Sequence, residues 1–313
     1  MKIFVAGASG NIGTRLVPML VRRGHQVVGT TRSPGKADML ARLGAEPVVA
    51  DGLDRDAMTA AVQKSQPDVV VHQMTALAGG INPRRFDKSF SATNRLRTDG
   101  TDILLEAARA AGTRRLVAQS YAGWPYARGG GPVKTEADPL IQDPTPGLRS
   151  ALEAIKHVEA AVTGADGIEG IVLRYGGFYG PGSMTEPDGE MMTMLRKRRF
   201  PIVGDGGGVW SFVHIDDAAA ATVEAIERGA PGIYNIADDD PAPVREWLPA
   251  LAAAVGARPP RHVPAWLGRL VLGPDGFAMM TEIRGASNIK AKRELGWQPA
   301  HPSWREGFHT ALR

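Results

Sequence analysis

The chain has 313 residues and no cysteine. Disulfide bridges and thiol chemistry are therefore excluded, and cysteine usage does not specify a compartment. The N-terminus lacks a basic segment followed by an apolar one, because glycines interrupt it. No apolar run reaches the length of a membrane span. We therefore expect a cytoplasmic protein without a membrane partner.

An excess of charge of one sign is also missing. The chain has 37 basic and 33 acidic residues, which gives a net charge of +4. One dense basic run, residues 196–199, is typical of a solvated helix face, and no aromatic residues interleave with it. Internal repeats and low-complexity tracts are absent as well. A nucleic-acid partner is therefore not expected.

A glycine-rich segment stands at the start of the chain. Residues 2–6 have strand character and lead into Gly7, Gly10 and Gly13, after which an amphipathic helix follows. In this strand–turn–helix context the glycines indicate a dinucleotide site. They allow a sharp turn, a close approach of the backbone to a pyrophosphate and close helix packing, and the helix N-terminus attracts phosphate. The cofactor contacts predicted in this loop are Gly7, Ser9, Gly10, Asn11, Ile12 and Gly13.

Strand and helix patterns alternate through the first half of the chain. Predicted strands cover residues 2–6, 26–30, 47–50, 68–72, 115–119 and 169–174. Helices are predicted between them, the longest over residues 84–111. This alternation predicts a doubly wound parallel α/β sheet. We expect residues 1–175 to form a Rossmann domain, and residues 176–313 to form a smaller substrate-binding region that returns elements to the sheet.

The predicted C-terminal region contains acidic and histidine residues that do not suggest a metal site. Residues 238–240 are three consecutive aspartates before a proline, a pattern typical of a solvated turn. His214 is the one histidine within a recognisable motif, and no zinc-ligand spacing accompanies it. We therefore expect no metal.

The end of the second predicted strand indicates the type of nucleotide. An acidic residue is typical there when the ribose carries a free 2′-hydroxyl. This chain has Thr31 and Arg32 instead, with Lys36 one turn further on. Hydroxyls and cations favour a 2′-phosphate and hence NADP(H) over NAD(H). Asp51, after the third strand, suits the adenine amino group.

Ligands of such sheets bind outside the carboxyl ends of the strands. The residues that follow the remaining strands are therefore further predicted cofactor contacts. They are Gly52, Met74, Thr75, Ala76, Gln119 and Tyr175.

Seven stretches, in this order, make the whole chain resemble the extended short-chain dehydrogenases/reductases of the NAD-dependent epimerase/dehydratase type. These stretches are residues 7–13, 51–53, 100–108, 173–174 with 179–182, 212–218, 234–237 and 292–299. The resemblance implies a Rossmann fold and hydride transfer with a nicotinamide cofactor. It also places Tyr175 where many relatives have a proline beside the nicotinamide.

The chain departs from this family at its catalytic signature, Tyr-x-x-x-Lys, on the helix after the fifth strand. In the family, the lysine lowers the tyrosine pKa and the tyrosine exchanges a proton with the substrate. The corresponding helix here contains no tyrosine. Counting back from Lys156 places Leu152 at that position, and counting back from Glu159 places Ala151 there. Lys156 either holds the ribose or is an exposed helix lysine.

The family's serine or threonine after the fifth strand corresponds to Ser120 or Tyr121. Either residue is a candidate for stabilising oxyanion charge or donating a proton. A phenol with an unperturbed pKa near 10 is a poor base unless a cation is close. The candidate catalytic residues are therefore Ser120, Tyr121 and Lys156.

The expected substrate is small and does not contain a nucleotide. Sugar-nucleotide members usually carry an arginine just before the stretch at 212–217, where this chain has Trp210 and Ser211. Aromatic residues cluster in segments expected near the cleft, which favours an apolar or aromatic ligand. The predicted pocket residues are Trp124, Tyr126, Phe178, Tyr179 and Trp210.

The sequence thus predicts an NADP(H)-dependent oxidoreductase that acts on a small carbonyl or alcohol compound, as a monomer or homodimer. A redox-neutral epimerase or isomerase is the second possibility. The third is an inactive NADP-binding regulator, since the family tyrosine is missing.

Overall fold

The computed structural model describes residues 1–77, 86–183, 185–186 and 189–311. A seven-stranded parallel sheet forms its centre. Its strands are β1 (Lys2–Ala6), β2 (Gln26–Thr31), β3 (Glu46–Val49), β4 (Val69–His72), β5 (Arg115–Tyr121), β7 (Glu169–Tyr175) and β12 (Gly232–Ile236). Their spatial order is β3-β2-β1-β4-β5-β7-β12, so the strand order reverses between β1 and β4. In open α/β sheets ligands bind at this reversal.

Helices cover both faces of the sheet, as the alternating sequence pattern predicts. They are α1 (Gly13–Arg22), α2 (Ala37–Arg42), α3 (Arg55–Ser65), α4 (Phe86–Arg97), α5 (Asp99–Ala110), α6 (Arg149–Thr163), α7 (Glu190–Arg196), α8 (Ile215–Arg228), α9 (Val244–Ala254), α10 (Ala265–Thr281), α11 (Ile289–Leu295) and α12 (Trp304–Ala311). The buried core on one face includes side chains of α1, α8 and α11, and that on the other face includes side chains of α3, α5 and α6. The doubly wound α/β fold is confirmed. No helix in the described ranges is long and apolar enough to cross a membrane.

Short strands pair two by two outside the central sheet. They are β6 (Val133–Lys134), β8 (Gly177–Tyr179), β9 (Ile202–Val203), β10 (Val209–Trp210), β11 (Phe212–His214), β13 (Ala242–Pro243), β14 (His262–Val263) and β15 (Gly285–Ala286). The pairs are β8 with β11, β9 with β14, β10 with β13 and β6 with β15. A further apolar core gathers side chains of α7, α9, α12 and these strands. β12 returns to the central sheet beside β7.

The long helix predicted over residues 84–111 is wrong as a single element. The structure divides it into α4 and α5, and its predicted start at residue 84 lies outside the described residues. Thr98 breaks the helix, with φ −91° and ψ −83°. Its hydroxyl donates at 3.2 Å to the carbonyl of Asn94, which also accepts the Thr98 amide, and such side-chain bonds to residue i−4 often bend helices.

Candidate active site at the carboxyl edge of the sheet

The glycine loop links β1 to the N-terminus of α1. Gly7 has φ +87°, a conformation that favours glycine. A Cβ atom on Gly13 would lie 2.4 Å from the carbonyl oxygen of Ala8, so any side chain there would displace the helix from the loop. The first turn of α1 carries no acidic residue. The positive end of the helix dipole is therefore available to an anion.

Hydroxyl groups fix the end of β2 against this loop. The Ser9 hydroxyl donates to the Thr31 hydroxyl at 2.9 Å, and the amide of Gly7 donates to the Thr30 hydroxyl at 3.1 Å. Arg32 and Lys36 follow, both exposed and without an acidic partner among the described residues. Two free cations thus lie beside the loop where the sequence predicts a 2′-phosphate site.

The segment after β3 forms a second wall of the loop region. Asp51 is exposed, and its carboxylate accepts the amide of Leu53 at 2.9 Å. Gly52 lies under Met74, because a Cβ atom on Gly52 would come within 2.2 Å of the methionine sulfur. Thr75 is exposed, and the amide of the half-buried Ala76 donates to the Thr93 hydroxyl at 3.0 Å.

Tyr175 does not face this region, although the sequence predicts it as a cofactor contact. Its side chain is only 1% exposed. The Thr222 hydroxyl donates its proton to the carbonyl of Ala218. Thr222 therefore accepts from Tyr175, whose hydroxyl donates to it at 2.7 Å. The Tyr175 hydroxyl also accepts the amide of Gln73 at 3.0 Å. Burial raises the pKa of Tyr175 to about 12. Its assignment as a cofactor contact is therefore corrected to a core role.

Gln73 and Gln119 bring amide groups to the ends of β4 and β5. Gln119 donates to the carbonyl of Met74 at 3.1 Å. The Oε1 atom of Gln73 is buried without a hydrogen-bond partner among the described residues. Since buried acceptors are normally paired, Gln73 leaves one polar contact to be supplied by a ligand or water.

Ser120 belongs to a buried polar network rather than to an open site. Its hydroxyl donates to Glu159 at 2.7 Å, and Arg174 donates to both oxygens of Glu159 at 2.7 and 2.6 Å. Arg174 also donates to the hydroxyl of Tyr126, which in turn donates to Asn235 at 2.6 Å. Ser120 and Tyr126 are 4% and 0% exposed. The assignments of Ser120 to catalysis and of Tyr126 to the pocket are therefore corrected.

Lys156 is an exposed helix lysine, the second of the two alternatives from the sequence. Its ammonium group pairs with Glu153 at 3.0 Å, and its side chain is 41% exposed. Lys156 lies along a shallow groove between α4 and α6, whose lining includes Asn94 and Ser150. The structure therefore gives no support for Lys156 as a catalytic residue.

Tyr121 lies against an apolar group of side chains that we call the aromatic cluster. The cluster consists of Phe86, Phe90, Trp124, Leu148, Ala151, Leu152, Ile155 and Ile283. Ala151 and Leu152, the two possible positions of the missing tyrosine, are both fully buried in it. Burial raises the pKa of Tyr121 to about 12, and the charge of Arg97 opposes this rise. Tyr121 is thus a protonated phenol at neutral pH.

The other predicted pocket residues lie in three places: this cluster, the core of the central sheet and the C-terminal core. Trp124 is a member of the cluster and Trp210 packs against it. Phe178 packs on Tyr175 with ring centroids 5.4 Å apart. Tyr179 is fully buried between His214 and Phe308, which corrects its assignment to the pocket.

Arg97 is the residue that sequence reasoning missed. It is 6% exposed, in the last turn of α4. Its Nε atom is buried and none of its N–H groups has a hydrogen-bond or ion-pair partner among the described residues. The spacing of Phe86, Phe90 and Arg97 on one helix face could have indicated its burial.

His214, Asp217 and His301 place possible metal-ligand atoms within 4.8 Å of one another. The carboxylate of Asp217 already accepts the amides of Ala300 and His301 at 2.9 and 2.8 Å. The two imidazole rings stack with centroids 3.7 Å apart. These contacts join α8 to the segment before α12, which is a structural role.

The carboxyl edge of the sheet fits a nicotinamide dinucleotide. The loop at Gly7 and Gly13 leaves no room for side chains, the N-terminus of α1 is free of acids, and Gln73 has an unused buried acceptor. These are the features that pyrophosphate and amide groups require.

Comparison with known proteins agrees with this geometry. The model of the NAD-dependent epimerase/dehydratase family matches residues 3–237. The chain is 46% identical over 311 residues to a 3-diazoavenalumate denitrifying reductase of Streptomyces sp, covering 98% of this chain and 99% of the relative. It is 32% identical over 270 residues to a 2-alkyl-3-oxoalkanoate reductase of Stenotrophomonas maltophilia, covering 82% of this chain and 76% of the relative.

A solved structure similar in fold is the human epimerase family protein SDR39U1 with NADPH. Its TM-score is 0.77 at 23% identity, covering 100% of this chain and 99% of that one. The match of the family model over most of the chain decides the assignment: this protein belongs to the NAD-dependent epimerase/dehydratase family, whose members are NAD(P)-dependent oxidoreductases and epimerases.

Proposed function

We propose that this protein is an NADP(H)-dependent reductase that transfers a hydride to a small aromatic or apolar substrate. The observation that carries the nucleotide preference is the pair of free cations, Arg32 and Lys36, beside the Ser9–Thr31 contact. The reductase names of two relatives support the reaction type. When bound, the nicotinamide would supply the hydride, and the glycine loop with Arg32 would hold its phosphates.

Tyr121 is the proton donor in this proposal. The phenol is protonated at neutral pH and can donate a proton, and burial, which raises the pKa of Tyr121 to about 12, makes it a weaker acid than a free tyrosine. The nearby charge of Arg97 would stabilise the phenolate that donation leaves behind.

A second candidate reaction is the reductive removal of nitrogen from an aromatic diazo compound. Identity of 46% to a denitrifying reductase along nearly the whole chain favours it. The missing family tyrosine is compatible with this chemistry. An arenediazonium ion and a hydride together give the arene and N₂, so the sum requires no separate proton donor.

NADPH consumption over a mixed substrate panel tests these proposals. The panel contains aromatic aldehydes, aromatic ketones and an arenediazonium salt, each compared with the rate without protein. We expect oxidation of NADPH with one of these classes. Tight NADPH binding without turnover of any of them would favour a regulator, and isomerisation without net NADPH consumption would favour an epimerase.

The variant Tyr121→Phe separates the two reductase reactions. Loss of a general acid typically lowers the rate by about 10²–10⁴-fold, so carbonyl reduction should fall by that amount and diazo reduction should be little changed. Tyr234→Phe is the matched control, since that hydroxyl donates to the carbonyl of Ala230 at 2.9 Å, outside the proposed site. Full carbonyl turnover by Tyr121→Phe would contradict the assignment of Tyr121.

A cytoplasmic location and a monomeric or homodimeric state stay predictions from the sequence.

A further inference from the structure

Arg97 is fixed at the carboxyl ends of the central strands. His72, the last residue of β4, donates a ring N–H to the carbonyl of Leu96 at 3.0 Å. The amide of Ala76 donates to Thr93, one helical turn earlier in α4. These bonds place the last turn of α4 beside the strand end. Tyr121 and Glu159 lie close enough to act electrostatically on the guanidinium group of Arg97.

The groups around Arg97 do not neutralise it. Both oxygens of Glu159 are occupied by Arg174 and Ser120, so two guanidinium groups share one carboxylate. Burial lowers the pKa of His72 to about 4, so this ring is neutral. Burial lowers the pKa of Arg97 only to about 10, and the side chain keeps its charge at neutral pH.

Residues 78–85, the stretch just before α4, contain no Asp or Glu. A buried cation without hydrogen bonds is costly to the folded state. A ligand that supplied an anion to Arg97 would offset this cost.

We propose that Arg97 is the binding site for a carboxylate group of the substrate. The free Nε and Nη groups of one guanidinium form a planar pair of donors, which matches the two oxygens of a carboxylate. The adjoining aromatic cluster would take the apolar part of the same molecule. The inference deepens the proposed reductase function and rests on it, because it names the substrate class as an aromatic or conjugated carboxylate.

Because Arg97 binds the substrate in this proposal, replacing it should lower the affinity for the substrate without lowering the stability of the fold. Arg97→Met keeps an unbranched side chain as far as the position of Nε and removes the charged end of the guanidinium group. Because it removes an unpaired buried cation, the variant should unfold at the same or a higher urea concentration than the parent. An arginine that holds the fold together would show the reverse.

Isothermal titration of the NADP⁺-loaded protein with trans-cinnamate tests the inference. We expect binding of cinnamate, weaker binding of its neutral methyl ester, and a roughly 10- to 100-fold loss of cinnamate affinity in Arg97→Met. Arg97→Lys, which keeps the charge but not the planar pair, should lose part of the affinity. Arg95→Gln is the matched control, since Arg95 is exposed on the same helix and pairs with Asp99.

Titration of each variant with NADPH separates this inference from the proposed function. We expect Arg97→Met to bind NADPH as the parent does. Equal binding of cinnamate and its methyl ester, or unchanged cinnamate affinity in Arg97→Met, would overturn the carboxylate site. Weaker NADPH binding by Arg97→Met would assign Arg97 to the cofactor and overturn it as well. Failure of the parent to bind NADPH would instead overturn the proposed function.

Discussion

Arg32 lies immediately beyond β2, exposed and without an acidic partner in the described part of the chain. A charge-assisted contact to a 2′-phosphate contributes about 1.5–3 kcal/mol, or roughly 10–100-fold in affinity. We therefore expect tighter binding of NADPH than of NADH. The difference between the two affinities should be smaller in Arg32→Ala. Arg42 is an exposed arginine on α2, and Arg42→Ala is the control, which should keep the parent's difference in affinity between NADPH and NADH. Fluorescence titration with each nucleotide measures the two dissociation constants, and equal values in the parent would contradict the NADP(H) preference.

His72 makes the stability of the fold depend on pH. Both ring nitrogens are engaged inside the protein, and burial lowers the pKa of His72 to about 4. The unfolded chain takes up the proton near pH 6.5, so stability is complete above that pH and declines as the pH falls toward 4. Between pH 7 and pH 5 this group alone should reduce the free energy of unfolding by about 2 kcal/mol.

Urea unfolding at the two pH values measures this contribution. His72→Gln should show a smaller difference in unfolding free energy between pH 7 and pH 5 than the parent. His262→Gln changes an exposed histidine and should keep the parent's difference. The same pH difference in parent and His72→Gln would show that His72 is not the group responsible.

At the scale of elements, local patterns predicted the positions of β1, β2 and β7 closely, because hydrophobic periodicity and glycines at the ends of elements are visible in a single chain. The break at Thr98 was not predictable in this way, since the sequence pattern is helical on both sides of it. The partners of Ser120, Tyr126 and Arg97 were not predictable either. They depend on which residues from distant elements meet.

The link between β5, α6 and β7 depends on one buried carboxylate. Glu159→Ala would leave Arg174 buried without its acidic partner, which typically costs about 3–5 kcal/mol. Glu153→Ala, on the same helix, breaks an exposed pair with Lys156 and should cost less than about 1 kcal/mol. Urea unfolding at neutral pH compares them. Similar losses in both variants would show that the buried network does not carry this link.

At the scale of the whole molecule, the C-terminal part of the chain closes around the glycine loop. Asn11 donates to the carbonyl of Gly182, Arg15 donates to that of Pro181, and Arg15 pairs with Asp216 at 2.9 Å. The glycine motif predicted the strand–turn–helix geometry of the loop, and the nucleotide site there stays a prediction. The site of chemistry was less predictable, because the family tyrosine is replaced by apolar side chains and the charged groups at that edge come from α4.

The central claim is that hydride passes from NADPH to the substrate. The most direct measurement uses NADPH that carries deuterium at the transferring position of nicotinamide C4, together with whichever panel substrate is consumed. Mass spectrometry of the product then reports the transfer. We predict a product that gains one deuterium atom per NADPH oxidised. A product without deuterium, formed while NADPH remains unoxidised, would contradict the reductase account.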